Sequence, residues 1–481
     1  MITAAFGRGR TGHVPAMTDI EQVLRREWSG AGGERRIALT DPADGTELYA
    51  VPVASEAEVQ AAVKAARAAA GDWARTPAAE RAEAVSRAED AVAARADDLA
   101  RLTTREMGKP LDDARGGVDA GTGTLRQYAE LGPLHRGRSL NGGPDATDLM
   151  VFEPRGVVAA ITPWNDPVAV SCGLLGAALV TGNTVVYKPS ERTPGTGWLL
   201  ARILSEHLPE GVLNLVLGDG ATGVHLTRQP VDVIAHVGST ATGRAIAKAT
   251  AGTTTKVLLE NGGNDPLIVD GNVDPEWAAG QAALGAFANA GQICVAVERI
   301  YVHERVAEAF VAALVERARQ WTTTIGPLVD RRMRDSVHAH VEQAVQGGAK
   351  LLTGGEVPDG PGSFYPATVL TGCTDEMAVI REETFGPVAP VTVVGSFEEA
   401  LQRAGRGEYG LAASVLTTDL GHATRAWREL PAGTVKINNV FGGAPGGAAH
   451  PRGASGQGYG YGPELLDEMT QAKVVHIGVA P

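Results

Sequence analysis

Cysteine is scarce: the 481-residue chain has three. Three thiols cannot build a disulfide framework, so a reducing, cytoplasmic setting is expected. Long apolar runs are missing as well. None approaches the roughly 20 residues that a membrane-spanning helix needs. Met1 to Val14 carries Arg8 and Arg10 but no apolar core of a signal peptide. Positive charge is in deficit, with a formal net charge of −13. With no basic stripe to neutralise phosphates, nucleic acid is excluded as the main partner, and no membrane partner is expected. The 11 histidines form no ligand-spaced pair, which argues against a metal site. There is no internal repeat.

What is present is an ordinary globular composition, 44% hydrophobic and 21% charged, on a chain long enough for two or three domains. Residues 1–18 read as a mobile extension, with Met17 as an alternative start and a helical pattern from about Asp19. Ser55-Glu-Ala-Glu58 is a capping box, followed by Val59, Val63, Ala66 and Ala70 at helical spacing. Thr76-Pro77 opens a second, longer helix running towards Leu102.

From about 151 the texture changes. The β-branched runs Val157–Ile161, Thr184–Tyr187, Val212–Leu217, Val233–Val237 and Lys256–Leu259 alternate with Ala-rich helical stretches. That alternation predicts a parallel sheet with helices on its faces. A second series begins near Pro266. It holds Ile300–Val302, helices over about Arg305–Arg319 and Met333–Gly347, then Pro387–Val394, Ala412–Leu416 and Thr434–Ile437. Two α/β units in tandem are expected, and Asn439–Gly462, dense in Gly, Pro and Ala, reads as irregular loop.

The chemistry centres on Cys294, in Phe287-Ala-Asn-Ala-Gly-Gln-Ile-Cys294, a loop-like segment of small residues that holds a thiol within reach. Glu260 lies 34 positions upstream, ending an apolar run just before a glycine pair. A thiol nucleophile and a carboxylate base suggest covalent catalysis. In Ile161-Thr-Pro-Trp-Asn165-Asp-Pro167, prolines stiffen a loop whose asparagine amide suits an oxyanion. By itself that segment reads better as a proline-rich turn. Lys188-Pro-Ser-Glu191 sits at the carboxyl end of a strand, where open α/β sheets bind ligands and where the pair suits ribose hydroxyls, although a solvated ion pair is the equal alternative. Gly218-Asp-Gly220-Ala-Thr-Gly223 matches a dinucleotide fingerprint without an acidic residue about 20 positions on. Gly238-Ser-Thr-Ala-Thr-Gly243 is a second helix N-terminus able to approach a pyrophosphate. Glu382-Glu383-Thr-Phe385-Gly-Pro387 sets a carboxylate beside an aromatic in a turn. Cys172 reads as core and Cys373 as a bystander in a polar loop.

In order and spacing these motifs resemble the aldehyde dehydrogenase superfamily, from about residue 35 to about 477. The resemblance implies an α/β architecture of two tandem parallel-sheet domains plus a small oligomerisation β element. On that pattern the NAD-binding domain takes 19–130 and 151–258 and the catalytic domain takes 259–437. Residues 131–150 and 438–481 form the oligomerisation element and C-terminal loop, in a homodimer or homotetramer. It implies that Cys294 attacks the aldehyde, that Asn165 and the Cys294 N–H hold the oxyanion, and that Glu260 activates water against the thioester. The cofactor contacts it implies are Ile161, Thr162, Trp164, Lys188, Ser190, Glu191, Gly218, Gly238, Ser239, Glu383 and Phe385. Glu191 should repel a 2′-phosphate, so NAD is expected, with NADP as the alternative. The implied substrate pocket includes Asp166, Val170, Ile293 and Val295.

Four departures from the family pattern stand out: Asp166 in place of an aromatic, Leu174 in place of a lysine, Asn261 after the glutamate, and Pro451-Arg-Gly-Ala-Ser-Gly456 near the C-terminus. An unpaired Asp166 would disfavour anionic aldehydes and favour cationic or neutral polar ones. Acyl transfer to coenzyme A is an alternative that Glu260 argues against, since relatives of that kind generally lack it. A non-catalytic relative of the fold is the other, and Cys294, Glu260 and Asn165 argue against that.

Overall fold

The computed structural model describes residues 17–29, 35–443 and 447–480. The expected N-terminal extension lies outside the described residues as far as Ala16, and a helix runs over Met17–Ser29.

Two parallel sheets carry the chain. In the first, Lys256–Glu260, Val233–Val237, Val157–Ile161, Thr184–Lys188 and Leu213–Leu215 lie side by side in that order, all parallel. The central strands are buried along their whole length, as a sheet covered on both faces requires. Gly456–Gln457 adds an antiparallel rung against Leu259 and Glu260, so part of the expected irregular C-terminal stretch is recruited into this sheet. In the second sheet the order is Lys350–Thr353, Thr368–Thr371, Val388–Val394, Val297–His303, Asp265–Val269, Ala412–Leu416 and Thr434–Ile437. All its pairs are parallel except the first. A separate antiparallel sheet joins Thr470–Gly478, Ala146–Pro154 and Arg138–Leu140. Among the described residues no helix is long and apolar enough to cross a membrane.

The capping box forms as written: Ser55 Oγ accepts from the Glu58 N–H and the Ser55 N–H donates to the Glu58 carboxylate at 2.8 Å, starting a helix over Glu56–Arg75. The single helix expected from Pro77 to Leu102 is two, Ala78–Ala94 and Ala96–Met107. Arg95 breaks it by leaving helical geometry (φ −113°, ψ 18°) while its guanidinium turns to Asp98. Cys373 lies in the loop that follows Thr368–Thr371, as expected, but its side chain is buried in the core of the second unit, and Thr392 donates to its carbonyl oxygen at 3.0 Å. Cys172 is core, in the buried helix Pro167–Val180.

One buried polar network ties the N-terminal helices to the first sheet. The Glu106 carboxylate accepts from the Gly195 and Thr196 N–H groups at 2.7 and 2.9 Å, from the Thr196 hydroxyl at 2.6 Å and from the Tyr49 hydroxyl. It thereby satisfies the first turn of the helix Pro194–Ser205, whose N-cap Thr193 makes no side-chain cap. Glu106→Ala strands two backbone donors and a tyrosine hydroxyl, and is expected to cost about 3 kcal/mol. A lower urea unfolding midpoint checks this, with Glu106→Gln falling between the variant and the parent.

Candidate active site

The site lies where the two sheets meet. Glu260 ends the last strand of the first sheet and Asp265 begins a central strand of the second, so four residues carry the chain between them. Two are glycines because the space beside them is taken. A Cβ at Gly262 would stand 2.1 Å from a Glu383 carboxylate oxygen, and one at Gly263 would stand 2.6 Å from the Cys294 carbonyl oxygen. Glu383 accepts from the Gly263 N–H at 3.0 Å. The sequence motifs of Glu260, Cys294 and Glu383 therefore converge on one turn.

The cysteine loop is an unusual piece of backbone. Asn289, Ala290 and Gly291 all have positive φ (49°, 54° and 73°), a conformation that costs non-glycine residues energy and persists where surroundings over-determine it. Here the surroundings are buried amides. Asn289 Nδ2 donates to the Asn165 carbonyl (3.3 Å) and the Gln292 carbonyl (3.1 Å), Gln292 Nε2 donates to Asn289 O at 3.1 Å, and Gln292 Oε1 accepts from the Val329 N–H at 2.9 Å. Asn165 Nδ2 donates to Gln292 O at 3.1 Å, which sets its amide two residues from Cys294 and leaves its second N–H for an oxyanion. A Cβ at Gly291 would lie 2.1 Å from the Gly386 carbonyl oxygen, so this loop is packed against the Glu383–Pro387 turn.

Carboxylates crowd the thiol. Burial first, then the charges of Glu260, Asp265, Glu383 and Asp166, push Cys294 up to about 12. Burial pushes Glu260 up to about 7, against a hydrogen bond from the Gly460 backbone that lowers it. Burial also raises Glu383, Asp265 and Glu298. Asp166 is not unpaired as expected: Lys109 Nζ stands 3.2 Å from its carboxylate. Gly117 makes room for the pair, because a Cβ there would lie 2.4 Å from Asp166 Oδ1. Asn261 faces away from the thiol, its Nδ2 donating to Ala454 O at 3.0 Å and its amide packed against Gly243. Leu174 is buried in apolar core, whereas Val170, Ile293 and Val295 are partly exposed.

On the first sheet, the Thr162 N–H donates to the Lys188 carbonyl (3.1 Å), joining the ends of strands Val157–Ile161 and Thr184–Lys188. The Lys188 ammonium is almost fully buried, yet donates once, to Pro189 O at 3.2 Å, with Glu191 at 3.9 Å. Its other donors suit ribose hydroxyls. Ser190 Oγ accepts from the Arg192 N–H at 3.3 Å. Ser239 caps its helix by accepting from the Thr242 N–H, Gly220 starts another helix with open space beside it, and Gly218 holds φ 145° before it. The Trp164 and Phe385 rings meet edge to face at 5.5 Å. A buried cation short of acceptors, open backbone at the helix start of Gly220 and a second carboxylate by an aromatic pair together fit a dinucleotide.

Glu298, which carries no motif, holds the Phe385 turn in place. Its carboxylate accepts from the Thr384 and Phe385 N–H groups, both at 2.8 Å, and Phe385 has φ 53°. Arg192 was likewise not singled out: it stacks on Trp164 at 5.2 Å and pairs with Asp330 at 2.8 Å. Both are ordinary strand or loop residues in sequence, visible only once distant segments meet. Glu298→Ala frees the turn and is expected to weaken NAD binding tenfold or more, measured by titrating cofactor fluorescence, while thermal stability falls by far less than unfolding would require.

The sequence profile of the aldehyde dehydrogenase family matches residues 28–475. A betaine aldehyde dehydrogenase from Cereibacter sphaeroides is 38% identical over 468 residues, covering 92% of this chain and 94% of the relative. A non-phosphorylating aspartate-semialdehyde dehydrogenase from Halomonas elongata is 38% identical over 428 residues, 86% of each. The crystal structure of betaine aldehyde dehydrogenase from Staphylococcus aureus in complex with NAD+ superimposes with a TM-score of 0.91 at 30% identity, covering 96% of this chain and 98% of that one. A thiol, a buried carboxylate and a rigid asparagine on this fold are thus accounted for together: the chain belongs to the aldehyde dehydrogenase family.

Proposed function

We propose that this aldehyde dehydrogenase oxidises its substrate to a carboxylic acid through a thioester on Cys294, with NAD as cofactor. The observation that carries the reading is the convergence of Cys294, Asn165 and Glu260 on one turn, with Glu383 beside it and the buried Lys188 at the end of a neighbouring strand of the first sheet. The Cys294 thiolate attacks the aldehyde carbon. The Asn165 side-chain N–H and the Cys294 backbone N–H hold the oxyanion. NAD, when bound, supplies the hydride acceptor. Lys188 and Glu191 would hold its adenosine ribose and Glu383 the nicotinamide ribose, and Gly218, Gly238 and Ser239 would lie by the pyrophosphate. The Glu191 carboxylate favours NAD over NADP by repelling a 2′-phosphate. Glu260 then takes a proton from water, which attacks the thioester and releases the acid. The same proposal divides the chain into a cofactor-binding unit on the first sheet and a catalytic unit on the second. It assigns the antiparallel sheet, with exposed Val474 and Ile477, to a homodimer or homotetramer contact in a cytoplasmic enzyme.

Glu260→Gln is expected to keep one rapid equivalent of NADH per active site and to lose at least 100-fold in steady-state turnover. Stopped-flow absorbance reads both, and undiminished hydrolysis would overturn the assignment. Glu260 sits at about 7 and acts in its ionised form, so hydrolysis rises with pH through about 7, a limb absent from Glu260→Gln.

The substrate reading changes in degree. Lys109 offsets the Asp166 charge, but Lys109 is the buried member and Asp166 the more exposed one, so the carboxylate is the member turned to solvent. The named relatives act on charged aldehydes, one of them the quaternary ammonium of betaine aldehyde. A panel of aldehydes is expected to give kcat/KM in the order cationic, neutral polar, anionic, with Asp166→Asn narrowing the spread about tenfold. A clear preference for succinic semialdehyde would refute this order.

A further inference from the structure

The thiol lies among carboxylates that oppose its ionisation, and Leu174 supplies no charge to offset them. A cation stands elsewhere. Lys436 lies on the outer strand Thr434–Ile437 of the second sheet, paired in register with Ser414, while Thr434 pairs with Ala412. Side chains two apart share a face. On that face Thr434 meets the Tyr461 hydroxyl, and Tyr461 in turn lies within electrostatic range of Glu260 and Cys294. Asp265 is anchored at the same place, its Oδ1 accepting from the Ala412 N–H at 3.1 Å. The space beside Gly263 is flanked by both this oxygen and the Cys294 carbonyl, at 2.8 and 2.6 Å from a Cβ placed there. Asp265 is buried and its Oδ2 has no hydrogen-bond partner among the described residues. Among the described residues the Lys436 side chain makes no hydrogen bond and no ion pair, with Asp265 or any other group, and it feels the charges of Asp265 and Cys294 at longer range.

We propose that Lys436 is the counter-ion that lets Cys294 become a thiolate, with Asp265 positioning its ammonium over the site. Charge is then balanced locally. Glu260, Asp265, Glu383 and Asp166 face the thiol from the first sheet, the second sheet, the Phe385 turn and the start of the helix Pro167–Val180. Lys109 answers Asp166, and Lys436 stands within electrostatic range of Asp265 and of the sulfur. Burial lowers Lys436 and the two acidic partners raise it, so its charge depends on theirs. Lys436 acts on the reacting sulfur through its field and is a positioning residue.

The inference rests on Cys294 as nucleophile, and its test does not need aldehyde turnover. The full-length enzyme, saturated with NAD, is alkylated with iodoacetamide across pH, and the Cys294 peptide is quantified by mass spectrometry. Lys436→Met is expected to lower the rate at pH 7 about tenfold and to move the midpoint up by about one pH unit, two statements of the same effect. Lys436→Arg restores most of both. Lys436→Gln, which keeps a polar head without the charge, gives the same shift where the Met variant does not fold. An unchanged alkylation profile overturns the proposal, including the case in which only KM for anionic aldehydes rises and Lys436 is a substrate anchor. Cys294→Ala separates the two readings: full aldehyde turnover by that variant removes the nucleophile assignment, whereas a flat Lys436 response removes only this one.

Discussion

Everything at the site depends on how closely backbone can approach backbone at two glycine-bearing turns. The chain leaves the first sheet at Glu260 and enters the second at Asp265, and Gly262 and Gly263 between them leave no room for a side chain. Glu383 fills one of those spaces and the Cys294 carbonyl the other. Gly291 allows the same intimacy from the opposite side, against Gly386. Three loops from distant parts of the chain are thereby drawn together. The left-handed run Asn289–Gly291 is the local cost, and buried amides from Asn289 and Gln292 hold it.

Such packing has an electrostatic consequence. Loops that exclude water around a thiol also desolvate every carboxylate brought with it, which raises Glu260, Asp265, Glu298 and Glu383 together. For the proposed hydrolytic base that is useful, since Glu260 is set near neutrality. For a nucleophile it is adverse, because the same burial and charges oppose the thiolate. The site therefore needs cations at chosen points: Lys109 stands by Asp166, and Lys436 is the cation proposed to answer Asp265.

Much of the arrangement was legible in order along the chain. The β-branched runs from Val157 to Leu259 and from Pro266 to Ile437 mark two parallel sheets, because strands buried on both faces have to be apolar throughout. The capping box at Ser55 and the motifs around Asn165, Lys188, Glu260, Cys294 and Glu383 were readable because their chemistry is local. Other features were not. The break at Arg95 is a matter of one residue's backbone, and neither neighbour is a glycine or proline. Cys373 read as a loop bystander because its neighbours are polar, while tertiary packing buries its side chain. Asp166 looked unpaired because its partner, Lys109, lies 57 positions upstream on a different segment.

The sequence by itself determined the family and singled out the proposed nucleophile and base, since these follow from residue types at fixed places in local motifs. Only the tertiary structure decided what those groups feel. Glu298, Arg192, Lys109, Asp265 and Lys436 act by position across loops and sheets, and position across a sheet is set by register and packing rather than by neighbours in sequence. A charge acts over ångströms of space, and the order of residues does not record which charges the fold will bring within that range.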